Sequence, residues 1–225
     1  MSNSVDVKLQ YDDKTRAELF ENAEVQNTTR EDYYEIIRIL SHTFEHDGYG
    51  MPPHQVLNIM EDELRNSNAD FENSVKVVDK RDGKIYGLLV FSHYPISLGS
   101  PLLTDKNTAM IGEYLMGFSQ INGFAFIIDR RLRGTGFDKK MIEFSEGFLM
   151  DFDFVWCATE IDSRSHEYWK RFGFIEIWED EFSTFYIRNM AKSDMNDIFI
   201  LKLASEAKRK MQEHNDEEVD GYEFD

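Results

Sequence analysis

The chain has 225 residues, 43 of them acidic against 25 basic, for a formal net charge of −18; such a surface repels a phosphate backbone and excludes nucleic-acid binding except through a local basic patch. The length suits one domain around one core, since no Pro/Gly/Ser-rich linker interrupts the middle. A lone cysteine, Cys157, excludes an internal disulfide, and no apolar run approaches the ~18 residues that span a bilayer, so a membrane partner is not expected and a soluble, reducing, cytoplasmic setting is.

Residues 1–20 mix polar and charged groups with little periodicity and read as an N-terminal extension to a main domain over 21–205. Glu24 to Thr28 reads as a first strand. Thr29, with Asp32 three residues on, starts a helix whose Tyr34, Ile37, Leu40 and Phe44 form a stripe for burial. After Pro52-Pro53 a second helix is predicted from His54 to Arg65. Ser74 to Asp79 and Lys84 to Ser92 flank Arg81-Asp82-Gly83, a strong hairpin signal. The stretch from Pro95 to Phe118 is too apolar for a solvated loop; it reads first as a pocket wall or sheet cover and second as a homodimer contact.

Ile121 to Ile128 is nearly all apolar, as in a buried strand, and a helix over 137–150 repeats Phe137, Met141, Phe144 and Phe148 at helical spacing. A strand Phe154 to Thr159 follows, with Cys157 as a small buried hydrophobe. A helix 164–171, a strand Phe174 to Trp178 and a last strand Asp197 to Leu203 complete the order. Residues 206–225 form a tail, entered by a short helix from Ser205 to Gln212; residues 213–225 hold seven acids and no Lys or Arg. The order is mixed α/β, with one central mixed sheet flanked by helices on both faces.

Two segments carry the chemistry. Ile128-Asp129-Arg130-Arg131-Leu132-Arg133-Gly134-Thr135-Gly136-Phe137-Asp138-Lys139-Lys140-Met141 runs from strand through a glycine turn into a helix. Such a turn gathers unpaired backbone N–H groups at a helix N-terminus, where the dipole also favours an anion, and so reads as a phosphate cradle. Arg130, Arg131, Arg133, Lys139 and Lys140 bring positive charge to it in an otherwise acidic chain. Further on, Ser163-Arg164-Ser165-His166-Glu167-Tyr168-Trp169-Lys170-Arg171-Phe172-Gly173-Phe174-Ile175-Glu176 reads as a short helix, a glycine cap and a strand.

In this order and spacing the two segments resemble the GNAT superfamily of acyl-CoA-dependent N-acyltransferases, over residues 25–205. The family's pyrophosphate loop reads Arg/Gln-x-x-Gly-x-Gly/Ala. Arg131-x-x-Gly134-x-Gly136 matches it literally. Arg133-x-x-Gly136-x-Asp138 places Met141 and Ile142 in the helix core and is preferred, at the cost of Asp138 where the family has Gly or Ala. The resemblance implies the GNAT fold, no metal, and acetyl-CoA as donor, held by Ile128, Arg133, Gly134, Thr135, Gly136, Phe137, Asp138 and Lys139. It places the acceptor beside Phe44, Glu45, Asp47 and Tyr49, whose acids favour a cationic amine, either a small molecule or a basic peptide.

Acyl transfer to an amine needs a base for the amine proton and commonly an acid for the thiolate. The family's tyrosine acid, four residues before the glycine of Gly-Phe, is replaced by Trp169, with Tyr168 one residue earlier. This resembles the histone-acetyltransferase branch, whose glutamate base stands eleven residues ahead of the Arg/Gln; that position is Asn122 from Arg133 or Gln120 from Arg131. Neither amide is a base, though either can hold a water or the acceptor. The carboxylate candidates are Glu160, Asp162 and Glu113, with Glu160 first because the family's strands part beside it to admit pantetheine. His93 is a structural histidine or a relay, and His42, His46, His54 and His166 show no metal-ligand spacing. Two functions follow: an N-acetyltransferase acting on a primary amine or, given Asp138, Trp169 and the missing glutamate, a GNAT-shaped acyl-CoA-binding or assembly protein without efficient catalysis.

Overall fold

The computed structural model describes residues 13–46, 53–66, 68–96, 106, 108–160, 166–180 and 183–220. In chain order the elements are α1 (Asp13–Asn22), β1 (Ala23–Asn27), α2 (Tyr33–His46), α3 (Pro53–Asn66), β2 (Ala69–Asp79), β3 (Ile85–Ser92) and α4 (Ala109–Leu115). There follow β4 (Gln120–Ile128), α5 (Phe137–Leu149), β5 (Phe154–Glu160), α6 (His166–Arg171), β6 (Ile175–Glu179), β7 (Ser183–Asn189) and α7 (Asp197–Asp220). The strands form one sheet in the order β1-β2-β3-β4-β5-β7-β6, antiparallel throughout except for the parallel pair β4–β5.

Alternation along the strands assigns the helices to faces. Val75, Val77, Leu89, Ile121, Val155, Cys157 and Tyr186 point to one face, where Leu19 of α1, Phe137 and Met141 of α5 and Trp169 of α6 join them in one cluster. On the other face Leu88 and Val90 pack with Ile36, Ile37, Leu40, Met60 and Leu64 of α2 and α3. Beyond them on that face, Phe154, Trp156, Phe185 and Ile187 pack with Ile111 and Leu115 of α4 and Ile200, Ala204 and Ala207 of α7. Two separate helical layers therefore share one face, and the line between them runs over β4 and β5.

The mixed α/β sheet with helices on both faces is as the sequence predicts, while several elements differ. Residues 13–22, most of them in the expected extension 1–20, form α1, whose Leu19 is buried in the core. On α2 the buried stripe is Ile36, Ile37 and Leu40, and Tyr34 is 80% exposed. The stripe predicted from Tyr34 omits Ile36; burying that isoleucine turns Tyr34 to solvent. On α5, Met141, Ile142, Ser145 and Leu149 face inward while Phe144 is exposed.

The largest correction is at the C-terminal end. The last strand is β7, and Asp197 to Leu203 is the start of α7. A short apolar run fits either period; here Asn196 decides by capping, its Oδ1 accepting from Phe199 N at 3.1 Å and its carbonyl from Ile200 N. Helix α7 then passes through the predicted domain end at 205, with Ala207 fully buried. Of the 95–118 stretch, the described Ile96, Ile111 and Leu115 are buried over β5, β6 and β7, as a sheet cover would be, while 97–105 and 107 lie outside the described residues.

Candidate active site

β4 and β5 pair only at Gln120–Phe154, Ile121–Val155 and Asn122–Trp156. Beyond these pairs β4 continues to Ile128 along β3, and β5 continues to Glu160 along β7, so the sheet opens in its middle. The cause is local: the register of β4 against β3 slips between Val90–Ala125 and Phe91–Gly123, leaving Phe124 as an extra residue. A bulge of this kind bends and twists its strand. It also puts Phe124 and Ala125 both against the α2–α3 layer, while Phe126 turns to the α5–α6 face. Although β4 is central, Phe124, Ala125, Phe126, Ile127 and Ile128 are only half-buried, which makes the opening an apolar slot.

The slot closes at Asn122. Its Oδ1 accepts from Ser92 Oγ on β3 at 3.0 Å and its Nδ2 donates to Trp156 O on β5 at 3.3 Å. Gln120 Oε1 accepts from Ile96 N at 2.8 Å. These bonds of Asn122 and Gln120 fasten three strands and the 96 region.

At the far end of the slot β4 runs into the glycine loop. Asp129 caps a single 3₁₀ turn, accepting from Arg131 N at 2.8 Å, and pairs in bidentate fashion with the Arg131 guanidinium. That guanidinium lies 4.7 Å from the Tyr86 ring centre, and Asp129 N donates to Tyr86 O, so the turn is pinned to β3. Burial would raise the Asp129 pKa, but the hydrogen bonds from Arg131 outweigh it and hold the carboxyl below its ordinary value. Leu132 plugs the core, and Arg133 Nε donates to Ile128 O at 3.3 Å.

Gly134 and Gly136 have φ of +72° and +85°, a left-handed conformation that side chains disfavour, and nothing lies within 4 Å of a Cβ built on either. Gly136 caps α5, whose first ladder bond is Lys140 N to Gly136 O. The amides of Phe137, Asp138 and Lys139 precede that bond and have no intrahelical partner. The open backbone and the unbonded first turn fit an anion such as a pyrophosphate. Met141 and Ile142 are buried while Lys139 and Lys140 are exposed, the burial pattern of the Arg133 register. Of the five cations expected to offset charge, Arg131 is taken up by Asp129, Lys139 pairs with Glu143 at 3.2 Å, and Lys140 lies over the Phe137 ring at 4.4 Å.

Helix α6 walls the slot. Tyr168 stacks on Phe126 with ring centres 4.6 Å apart, and its hydroxyl lies 3.5 Å from Asp138 O in the first turn of α5. Burial, and after it the Asp138 charge, raise the phenol above its ordinary pKa, so Tyr168 stays protonated. His166 Nδ1 is 2.7 Å from the hydroxyl of Tyr186, a residue that sequence reasoning missed along with its strand. Burial, and then Glu176, push Tyr186 up to about 12. Tyr186 stands opposite Cys157, the first β5 residue beyond the last β4–β5 pair, so this couple adjoins the closed end of the slot.

Other predicted residues lie elsewhere. Glu160 ends β5 opposite Ser183, with its side chain outside the described residues, as are those of Phe44 and Glu45 at the end of α2. Asp47, Tyr49 and Asp162 also lie outside them. Glu113 is exposed on α4, in the layer over β5 to β7. His93 follows β3 at the closed end of the sheet, its Nε2 3.2 Å from Asp70 Oδ2, in a structural setting away from the glycine loop.

No family model and no curated protein sequence matches the chain. Solved structures match its shape. The N-acyl amino acid synthase FeeM, from uncultured soil microbes, superposes with a TM-score of 0.55 at 10% identity, over 76% of this chain and 92% of that one. An acetyltransferase from Thermus thermophilus gives 0.50 at 12% identity, over 75% and 97%. A chain of the NatC complex bound to Gag peptide and CoA gives 0.50 at 14% identity, over 76% and 99%. The fold is the GNAT fold. Within it the parted strands, the glycine loop and α6 are contiguous in space, and α1 and α4 are built onto the same sheet.

Proposed function

We propose that the protein is an N-acyltransferase that moves an acetyl group from acetyl-CoA to a primary amine of a cationic small molecule or peptide. The observation that carries this reading is the apolar slot between β4 and β5, which leads from the closed end at Asn122 to the open backbone of Gly134 and Gly136. The pyrophosphate would sit on the first-turn amides of α5, with Arg133 and Lys139 beside it and Ile128, Thr135, Phe137 and Asp138 shaping the loop. The pantetheine arm would lie in the slot. The CoA in the NatC complex supports CoA as donor, and its Gag peptide together with the amino-acid product named for FeeM support a nitrogen acceptor. Glu45, Asp47 and the net charge of −18 favour a cationic one.

In the reaction the neutral amine attacks the thioester carbonyl, a C–N bond forms, the C–S bond breaks and the thiolate leaves. The amine nitrogen gives up one proton and the thiolate takes one. Glu160, at the C-terminal end of β5, is the proposed acceptor of the first, and the His166–Tyr186 couple is the next in line. Tyr168 is neutral, and its hydroxyl is bound toward Asp138 O at the pyrophosphate end of the slot, so the thiolate takes its proton from solvent.

Free-CoA release from acetyl-, propionyl- and succinyl-CoA across an amine panel tests the reading. At 100 times its dissociation constant acetyl-CoA should add about 2.7 kcal/mol of stability, a plain rise in melting temperature. Gly134→Val, which fills the cradle, should abolish that rise. Absence of any rise in the wild type would overturn the proposal. A second reading, an acyl-CoA-binding protein without turnover, is favoured by Asp138 in the loop and by Trp169 at the acid position; a rise in melting temperature with no CoA release from any amine would select it.

A further inference from the structure

Trp169 lies on α6 with about 5% of its surface exposed, and its indole Nε1 has no hydrogen-bond partner among the described residues. Burying a donor in that state is costly, and buried polar atoms in folded proteins are otherwise almost always bonded. The chain satisfies a comparable group elsewhere: Trp156 Nε1 donates to Tyr94 O at 3.1 Å.

The setting of Trp169 supplies the second observation. Its ring packs edge-on against Phe126, with centres 5.9 Å apart, and against Tyr168 and Phe174 at 5.4 Å and 5.0 Å. Phe126 belongs to the length of β4 that has parted from β5, and Tyr168 stacks on the same phenylalanine. The Trp169 ring therefore belongs to the aromatic wall of the slot.

We propose that the Trp169 indole is a ligand-positioning donor, its N–H hydrogen-bonding a carbonyl oxygen of the acyl-CoA lodged in the slot, either the thioester carbonyl or a pantetheine amide. The inference rests on the acyl-CoA reading above. An indole N–H donates but does not release its proton at neutral pH. Trp169 thus holds and orients the arm and takes no part in protonating the thiolate. The apo protein carries the cost of the unmade bond, and the ligand relieves it.

Trp169→Phe keeps an aromatic ring while removing the donor and part of the indole's volume. Its dissociation constant for acetyl-CoA, measured by calorimetry, rises roughly threefold to tenfold, the loss of one neutral hydrogen bond. On the unaltered protein, the indole proton resonance of Trp169 moves downfield when acetyl-CoA is added. An unchanged dissociation constant in Trp169→Phe, or an unmoved Trp169 indole resonance in protein saturated with acetyl-CoA, overturns the inference while leaving the acyl-CoA reading intact. A wild type that does not bind acetyl-CoA overturns both. Should the variant fail to fold, the resonance shift decides alone.

Discussion

Asp138 brings a negative charge into the first turn of α5, where it favours the helix dipole and opposes a pyrophosphate. Asp138→Gly should therefore tighten acetyl-CoA while lowering the melting temperature, since glycine in a helix costs about 1 kcal/mol. Weaker binding in that variant would return the loop to the Arg131 register. For the proton acceptor, Glu160→Gln should lower kcat by ~10²–10⁴-fold with little effect on acetyl-CoA affinity. Near-normal turnover would move the role to His166, in which case Tyr186→Phe should shift the acidic limb of the pH–rate profile. At this scale the sequence reads unevenly. Asp138 and Trp169 stand out because they break a short motif. The fastening role of Asn122 is hidden because its partners Ser92 and Trp156 are 30 and 34 residues away. The unbonded Trp169 N–H and the Tyr186 hydroxyl beside His166 are likewise products of packing that no local pattern records.

Elements whose apolar residues repeat along one face, such as α3 and α5, and strands bounded by strong turns, such as β3, are legible from the chain alone. Helix α7 is not, because DIFILKL fits both periods and only the Asn196 cap and the burial of Ile200, Ala204 and Ala207 separate them. Strand β7 is hidden behind β6, since Asp180 turns the chain within three residues, its Oδ1 accepting from Ser183 N at 2.8 Å. Truncation tests the boundary at 205. A chain ending at Ser205 loses fully buried Ala207 and the packing of Met211, and should melt several degrees lower or fail to fold, whereas the reading of 206–225 as a mere tail expects no change.

For the molecule as a whole, electrostatics sets the response to acid and salt. Hydrogen bonds from the Arg81 side chain and backbone hold Asp79 at about 2, against an ordinary 3.8, and Asp32 is lowered because bonds from Lys76 and Thr29 outweigh burial. A depressed carboxyl stabilises the fold fully above its unfolded value, and that stability drains as the pH falls through the folded one. Asp79→Asn should thus have a lower urea midpoint than the wild type at pH 6, and the gap should narrow as the pH falls from about 4 toward 2. The net charge of −18 makes the compact state repel itself. Raising NaCl from about 0.01 M to about 0.15 M shortens the Debye length from about 30 Å to about 8 Å and should raise the melting temperature; a fall would mean that ion pairs such as Lys76–Asp32 outweigh the repulsion.

The three residue pairs that join β4 to β5 make the sheet a seam as well as a surface. On one side lie β1 to β4, on the other β5, β7 and β6, and the chain crosses between them through Met150 to Asp153. A polypeptide stitched so lightly through its middle is suited to being cut there. Fragments ending at Met150 and beginning at Asp151 should reassemble when mixed, each bringing strands that already pair among themselves. Whatever occupies the slot would then act as the splice, and its addition should speed the joining of the two halves.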